Sequence, residues 1–113
     1  MTRRNALMTK PPAAVESALT RVGSSLKTAR VRRGWSQAQM AERIGTGVRA
    51  VADAERGKSS TAAVVYVALL WALGLEHEFT LLADPTRDEV GRTLAARRER
   101  GRAGAARGVD RDF

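Results

Sequence analysis

Between Ser36 and Lys58 the chain sets out groups suited to holding a ligand by hydrogen bonds and charge. Ser36 and Gln37 offer a hydroxyl and an amide. Thr46 and Gly47 offer a second hydroxyl and an unobstructed backbone. Val48, Arg49, Ala52 and Asp53 follow, and the cations Arg56 and Lys58 close the stretch. An arginine fork can take a guanine edge bidentately, a discrimination of ~1–3 kcal/mol, and a valine can touch only a thymine methyl. An aspartate is repelled by phosphate, although it can accept from a cytosine amino group. Hydroxyl, amide and cationic side chains, with the N–H groups of a helix N-terminus, can hold phosphate. Bond-making chemistry has no comparable set. The chain has no glycine-rich phosphate loop, no Ser/His/Asp set and no cysteine, and the one histidine, His77, cannot build a metal site alone. Asp53 and Glu55 are two apart and point to different faces of a helix. No catalytic residue, metal or cofactor is expected, and the enzyme class is set aside.

Positioning these groups takes two short helices and a tight turn. Ser36 can cap the first helix, with Gln39 three residues on to complete a capping box. Trp35 before the cap and Met40 inside have hydrophobic-staple spacing. This helix is predicted to run to Ile44, where Gly45 supplies the permissive turn. The second begins at Gly47 or Val48 and ends near Arg56, with Gly57 as its stop. Ala41 lies four before Gly45 and Val51 six after it. Two helices crossing steeply need a small residue at the crossing, a permissive turn and a branched apolar residue returning to the core. That is helix-turn-helix geometry, whose second helix can enter a DNA major groove.

The stretch resembles the Cro/cI-type (XRE) helix-turn-helix family. The resemblance rests on Trp35-Ser36-Gln37-Ala38-Gln39-Met40-Ala41-Glu42-Arg43 with Gly45, then Val51 and Glu55-Arg56-Gly57-Lys58. With Leu26–Gly34 before and the helix ending at Leu73-Gly74 after, it covers a little under half the chain. It implies an all-α, lambda-repressor-like five-helix DNA-binding domain with a C-terminal helical or disordered extension. It also implies an internal ion pair between Arg30 and Glu55. Loss of one partner from such a pair costs ~3 kcal/mol when partly buried.

The net charge of +8 is unevenly spread. Residues up to Trp35 carry +7, Ser36 to Asp84 carry −2, and Pro85 to Phe113 carry +3. A basic chain fits double-stranded DNA as partner, yet the stretch expected to read it is slightly acidic. Absence of cysteine, of a long apolar run and of a signal peptide points to a cytoplasmic, nucleoid-associated location with no membrane role.

Along the chain, residues 1–14 are expected to be a disordered arm, with Arg3 and Arg4 either solvated or reaching a minor groove. The domain itself is placed at 15–83. Its first helix is predicted over Val15 to Arg33, with Leu19, Val22, Leu26, Ala29 and Arg33 as its stripe. Gly23 costs ~1 kcal/mol there and marks a possible break. A fourth helix over Ala62 to Leu73 is apolar all round. The family pattern turns Ala63, Tyr66, Val67, Leu70 and Leu73 to the core. Val64, Ala68, Trp71 and Leu75, continued by Phe79, then form a second stripe for a homodimer or a partner protein. Residues 76–83 are predicted as a short fifth helix, with a dimer-forming strand as the alternative. A basic extension occupies 84–113. It begins with a sixth helix capped by Thr86 and running to about Arg100, followed by a disordered Gly/Ala/Arg segment from Gly101 to Gly108. Val109 to Phe113 is either a frayed end or a docking motif.

The expected function is a homodimeric, sequence-specific transcriptional repressor. Ala72-Leu73-Gly74-Leu75, Leu81 to Gly91 and the basic tail also resemble HipB-like antitoxins, which repress their own operon and bind a HipA-type kinase toxin. Two alternatives stay open: an interaction module that neutralises a partner and binds DNA weakly, and a free-standing phage-type repressor.

Overall fold

The computed structural model describes residues 5–111, with side chains as far as Ala105. Seven helices and no strand occur among them: α1 (Ala6–Thr9), α2 (Ala13–Arg32), α3 (Gln37–Ile44), α4 (Val48–Glu55), α5 (Ala63–Leu73), α6 (Glu76–Thr80) and α7 (Glu89–Arg111). The chain divides into two compact units at Phe79/Thr80, four residues before the boundary expected at Ala83. None of the helices among the described residues is long and apolar enough to cross a membrane.

In the first unit, α2 to α5 enclose a core of Leu26, Met40, Ala41, Val51, Ala54, Tyr66, Leu69 and Leu73. Met40 and Val51 are fully buried, and Ala41 is 3% exposed where α3 meets α4. The local chemistry that forms these helices is visible at their ends. Ser36 Oγ accepts from Gln39 N at 3.0 Å and Gln39 Oε1 accepts from Ser36 N at 2.8 Å, a complete capping box. Gly45 takes φ 77°, and Thr46 N donates back to the Ala41 carbonyl at 2.9 Å, which closes the turn.

Helix α2 differs from its predicted stripe. It begins two residues early, behind Pro12, and is not broken at Gly23. Its inward positions are Leu19, Gly23, Leu26 and Arg30, while Val22 is 46% exposed. Gly23 is there because nothing larger fits. A Cβ on it would lie 2.5 Å from the Ala54 carbonyl oxygen and 2.6 Å from that of Glu55. Gly57, at φ 70°, approaches α2 from the other side, where a Cβ would lie 2.6 Å from the Leu19 carbonyl. These two glycines bring the backbones of α2 and the end of α4 into contact.

Helix α5 buries Tyr66, Leu69 and Leu73, whereas Ala63, expected inside, is exposed and Val67 and Leu70 are half-buried. A helix apolar all round carries no periodicity to orient it, so its neighbours decide the face. Arg33 bridges two helix ends, with Nη1 donating to the Ala29 carbonyl at 2.8 Å and Nη2 to that of Leu73 at 2.9 Å. Residues 76–80 are helical rather than extended. The arm expected to be disordered instead contains the single turn α1 in its described part. Asn5 Oδ1 caps it by accepting from Leu7 N at 3.0 Å, and Ser59 Oγ donates to the Met8 carbonyl. Arg3 and Arg4 lie outside the described residues.

In the second unit, Thr86 is not the cap expected of it. Its N–H and hydroxyl both donate to Asp84 Oδ1, at 2.9 and 2.8 Å, in a turn before the helix. Asp88 caps α7, accepting from Gly91 N at 3.0 Å. The helix runs on to Arg111, through the segment expected to be disordered beyond Gly101. Alanine and arginine are among the best helix formers, and here they outweigh the interspersed glycines. Val90 and Leu94 are 71% and 53% exposed. Asp112 and Phe113 lie outside the described residues.

Candidate nucleic-acid interface

The anchor of the candidate site is a charge pair that the rest of the domain encloses. Arg30 Nε donates to Glu55 Oε2 at 2.6 Å and Nη2 to Oε1 at 3.0 Å, a bidentate pair with each residue 8% exposed. The remaining guanidinium nitrogen, Nη1, donates to the Trp35 carbonyl at 2.6 Å. Gln37 Nε2 adds a third hydrogen bond to Glu55, at 3.0 Å to Oε1. One guanidinium thus joins α2, the residue before the Ser36 cap of α3 and the C-terminal end of α4. Burial by itself would raise the Glu55 pKa. Hydrogen bonds from Arg30 and Gln37, with the charges of Arg30 and Lys27, outweigh burial and hold it below the ordinary carboxylate value. Hydrogen bonding to Glu55 raises the Arg30 pKa despite burial, so both partners stay ionised.

From this anchor α4 presents Val48 and Arg49 outward. Val48 is 46% exposed and the Arg49 side chain 83%. Gly47 is the N-cap of α4 and brings no side chain to its first turn, while Thr46 and Ala52 are half-buried. Ser36 and Gln37 sit at the start of α3. The Ser36 oxygen is engaged by the cap, which leaves its O–H as a donor. Gln37 is turned inward to Glu55, so one of its two amide N–H groups is committed.

Asp53 does not stand free as an acceptor. Arg56 Nη2 donates to its Oδ1, Arg49 Nε lies 3.7 Å from Oδ1, and Lys58 Nζ lies 3.6 Å from Oδ2. Desolvation works against the charged carboxylate. The Arg56 hydrogen bond and the charges of Lys58, Arg56 and Arg49 prevail and lower its pKa. The structure therefore gathers the three cations of the outward face around one acid.

Sequence reasoning also passed over Arg43. Its guanidinium lies 4.1 Å above the Trp35 ring, and the two line a shallow cleft with Gln39 and Glu42. Positions 35, 39 and 43 share helical spacing, a signal available in the chain itself. Of the residues assigned to a partner surface, Val64 and Trp71 are 71% and 60% exposed. Ala68, Leu75 and Phe79 are half-buried, with Leu75 packed on the core beyond the glycine stop of α5.

No curated protein and no solved structure gives a match to the chain. The capped α3, the glycine turn, α4 and the helices packed around them coincide with a match to a helix-turn-helix family model over residues 26–79, a little under half of the chain, and in that segment the chain is similar to the helix-turn-helix family.

Proposed function

We propose that the protein is a sequence-specific transcriptional repressor that binds double-stranded DNA as a homodimer. The observation that carries this reading is the outward presentation of Arg49 on a helix pinned from behind by Arg30 and Glu55. A rigid mount keeps a base-reading side chain in register with the groove. Arg49 supplies the main base contact, Val48 and Ala52 add apolar contact, and Thr46 and Gly47 lead the helix to the duplex. Ser36, Arg56 and Lys58 border the phosphates, and Gln37 does so through its backbone N–H at the start of α3. The exposed Val64 and Trp71 on α5 support pairing of two copies, which doubles the half-sites read.

Within this function the finer reading is a cytoplasmic, autoregulating antitoxin of HipB type, whose partner is a HipA-type kinase toxin. A separate helical unit from Thr80 onward, rich in arginine and with exposed Val90 and Leu94, fits a segment that a second protein engages. Co-purification with a kinase-like protein encoded next to it tests that step.

The DNA reading is tested by electrophoretic shift on the DNA upstream of its own gene, at low and high salt. Arg49→Ala is expected to abolish preference for that DNA over a scrambled duplex while leaving salt-sensitive binding. Retained preference would sink the role of Arg49. Absence of any shift would favour an interaction module instead.

A further inference from the structure

Asp53 is the most enclosed charge on the outward face of α4. Its side chain is 15% exposed, against 83% for Arg49, 65% for Arg56 and 47% for Lys58. The cations come from three places: one helical turn earlier, the end of the helix and the loop beyond it. The loop is itself fixed to the helix, because Lys58 N donates to the Asp53 carbonyl at 3.0 Å. One carboxylate thus lies beneath three cations whose outer faces remain open to solvent.

We propose that Asp53 is a specificity-determining residue that acts as an internal counter-anion, occupying Arg49, Arg56 and Lys58 so that a phosphate backbone alone recruits them poorly. The inference rests on the DNA-binding reading above. Non-specific binding to DNA consists almost wholly of phosphate neutralisation, and each phosphate engaged contributes ~0.9 to the slope of log affinity against log salt. Three cations without an acid among them would be a patch for any phosphodiester. With Asp53 present the patch has a smaller net charge, and every phosphate contact must share or replace an ion pair already made. Correct DNA adds base-edge contacts from α4, so its binding depends less on phosphates. The acid then lowers affinity for all DNA but lowers it most for the wrong DNA. Two other roles make different predictions. A helix-stabilising pair would leave DNA selectivity unchanged. A direct reader of cytosine would, on removal, weaken correct binding and leave wrong binding alone.

The experiment uses the full chain as wild type, Asp53→Asn and Asp53→Glu, with fluorescence anisotropy on the upstream duplex and a scrambled duplex across a salt series. Asp53→Asn is expected to tighten scrambled-duplex binding roughly tenfold near 0.1 M salt and to steepen its salt slope by about one. Upstream binding tightens less, so the ratio between the duplexes falls. Asp53→Glu keeps the charge, and its ratio between the duplexes is expected to stay closer to wild type than that of Asp53→Asn. Thermal melts check folding, and Asp53→Ser replaces the Asn variant if that variant does not fold. Unchanged affinity for the scrambled duplex overturns the proposal, and so does loss of upstream binding alone. If folded wild type and Asp53→Asn bind neither duplex at low salt, the DNA-binding reading falls and takes the proposal with it.

Discussion

Replacing Glu55 with alanine removes the acceptor of three hydrogen bonds: two from Arg30, at 2.6 and 3.0 Å, and one from Gln37 at 3.0 Å. What remains is a guanidinium that is 8% exposed and retains one protein partner, the Trp35 carbonyl. Breaking a buried pair from one side costs about 3–5 kcal/mol because a charge is left uncompensated. The surviving Trp35 contact places the expected loss at the low end of that range, about 3 kcal/mol. For a domain of this size that corresponds to a fall in Tm of roughly 12–24 °C. The assay is thermal and urea denaturation followed by circular dichroism, with Glu55→Gln and a double variant, Arg30→Met with Glu55→Leu, in parallel. The double variant leaves no orphaned charge and should recover much of the loss. The pair also has a pH signature. The Glu55 pKa is depressed in the folded state, so its contribution is fully present above its unfolded value of about 4.5. It is lost as pH falls from there through the lower folded value. Asp53 and Asp84 are depressed in the same direction, so the difference between wild type and Glu55→Gln isolates the Glu55 share. A Glu55→Ala loss below about 1 kcal/mol, the range of an exposed pair, would refute the account of Arg30 and Glu55 as the tie that holds α4.

The other predictions are independent of this pair. Gly23→Ala should destabilise the domain by about 1–2 kcal/mol in chemical denaturation, since a Cβ there meets two backbone carbonyl oxygens that no side-chain rotation can clear. A gain of about 1 kcal/mol, as helix propensity alone predicts, would show that α2 and α4 can separate at little cost. On the proposed homodimer, Trp71→Lys should shift the sedimenting species from dimer to monomer without lowering Tm greatly, because the ring is 60% exposed. An unchanged mass would remove α5 from the pairing surface.

The capping box, the Gly45 turn and the core positions Met40, Ala41 and Val51 were legible in the chain because each depends on residues a few positions apart. The same locality made the ends of α4 and the stop at Gly74 readable. The fourth helix was readable as a helix but not as an oriented one, since AVVYVALLWAL offers no polar face to exclude from the core. The extension was misread for a related reason. Composition counts glycine as a breaker, whereas the alanines and arginines around Gly101 and Gly104 continue the helix.

By itself, the sequence determined where the candidate interface lies: a capped helix, a left-handed glycine and a second short helix follow from hydrogen bonds within single turns of backbone. Tertiary structure decided what surrounds each charge. Gly23 has its reason in carbonyl groups about thirty residues further along, at Ala54 and Glu55. Gln37 is drawn inward by a carboxylate eighteen residues away. Asp53 sits beneath cations that reach it from the first turn of α4, from its C-terminal cap and from beyond it, the last carried by a loop that must first fold back. Charge acts through space with a reach of several ångströms, so an acid in a reading face means one thing alone and another under three cations. That neighbourhood is a property of the folded chain, and it turned Asp53 from a doubtful base reader into the residue on which selectivity is proposed to turn.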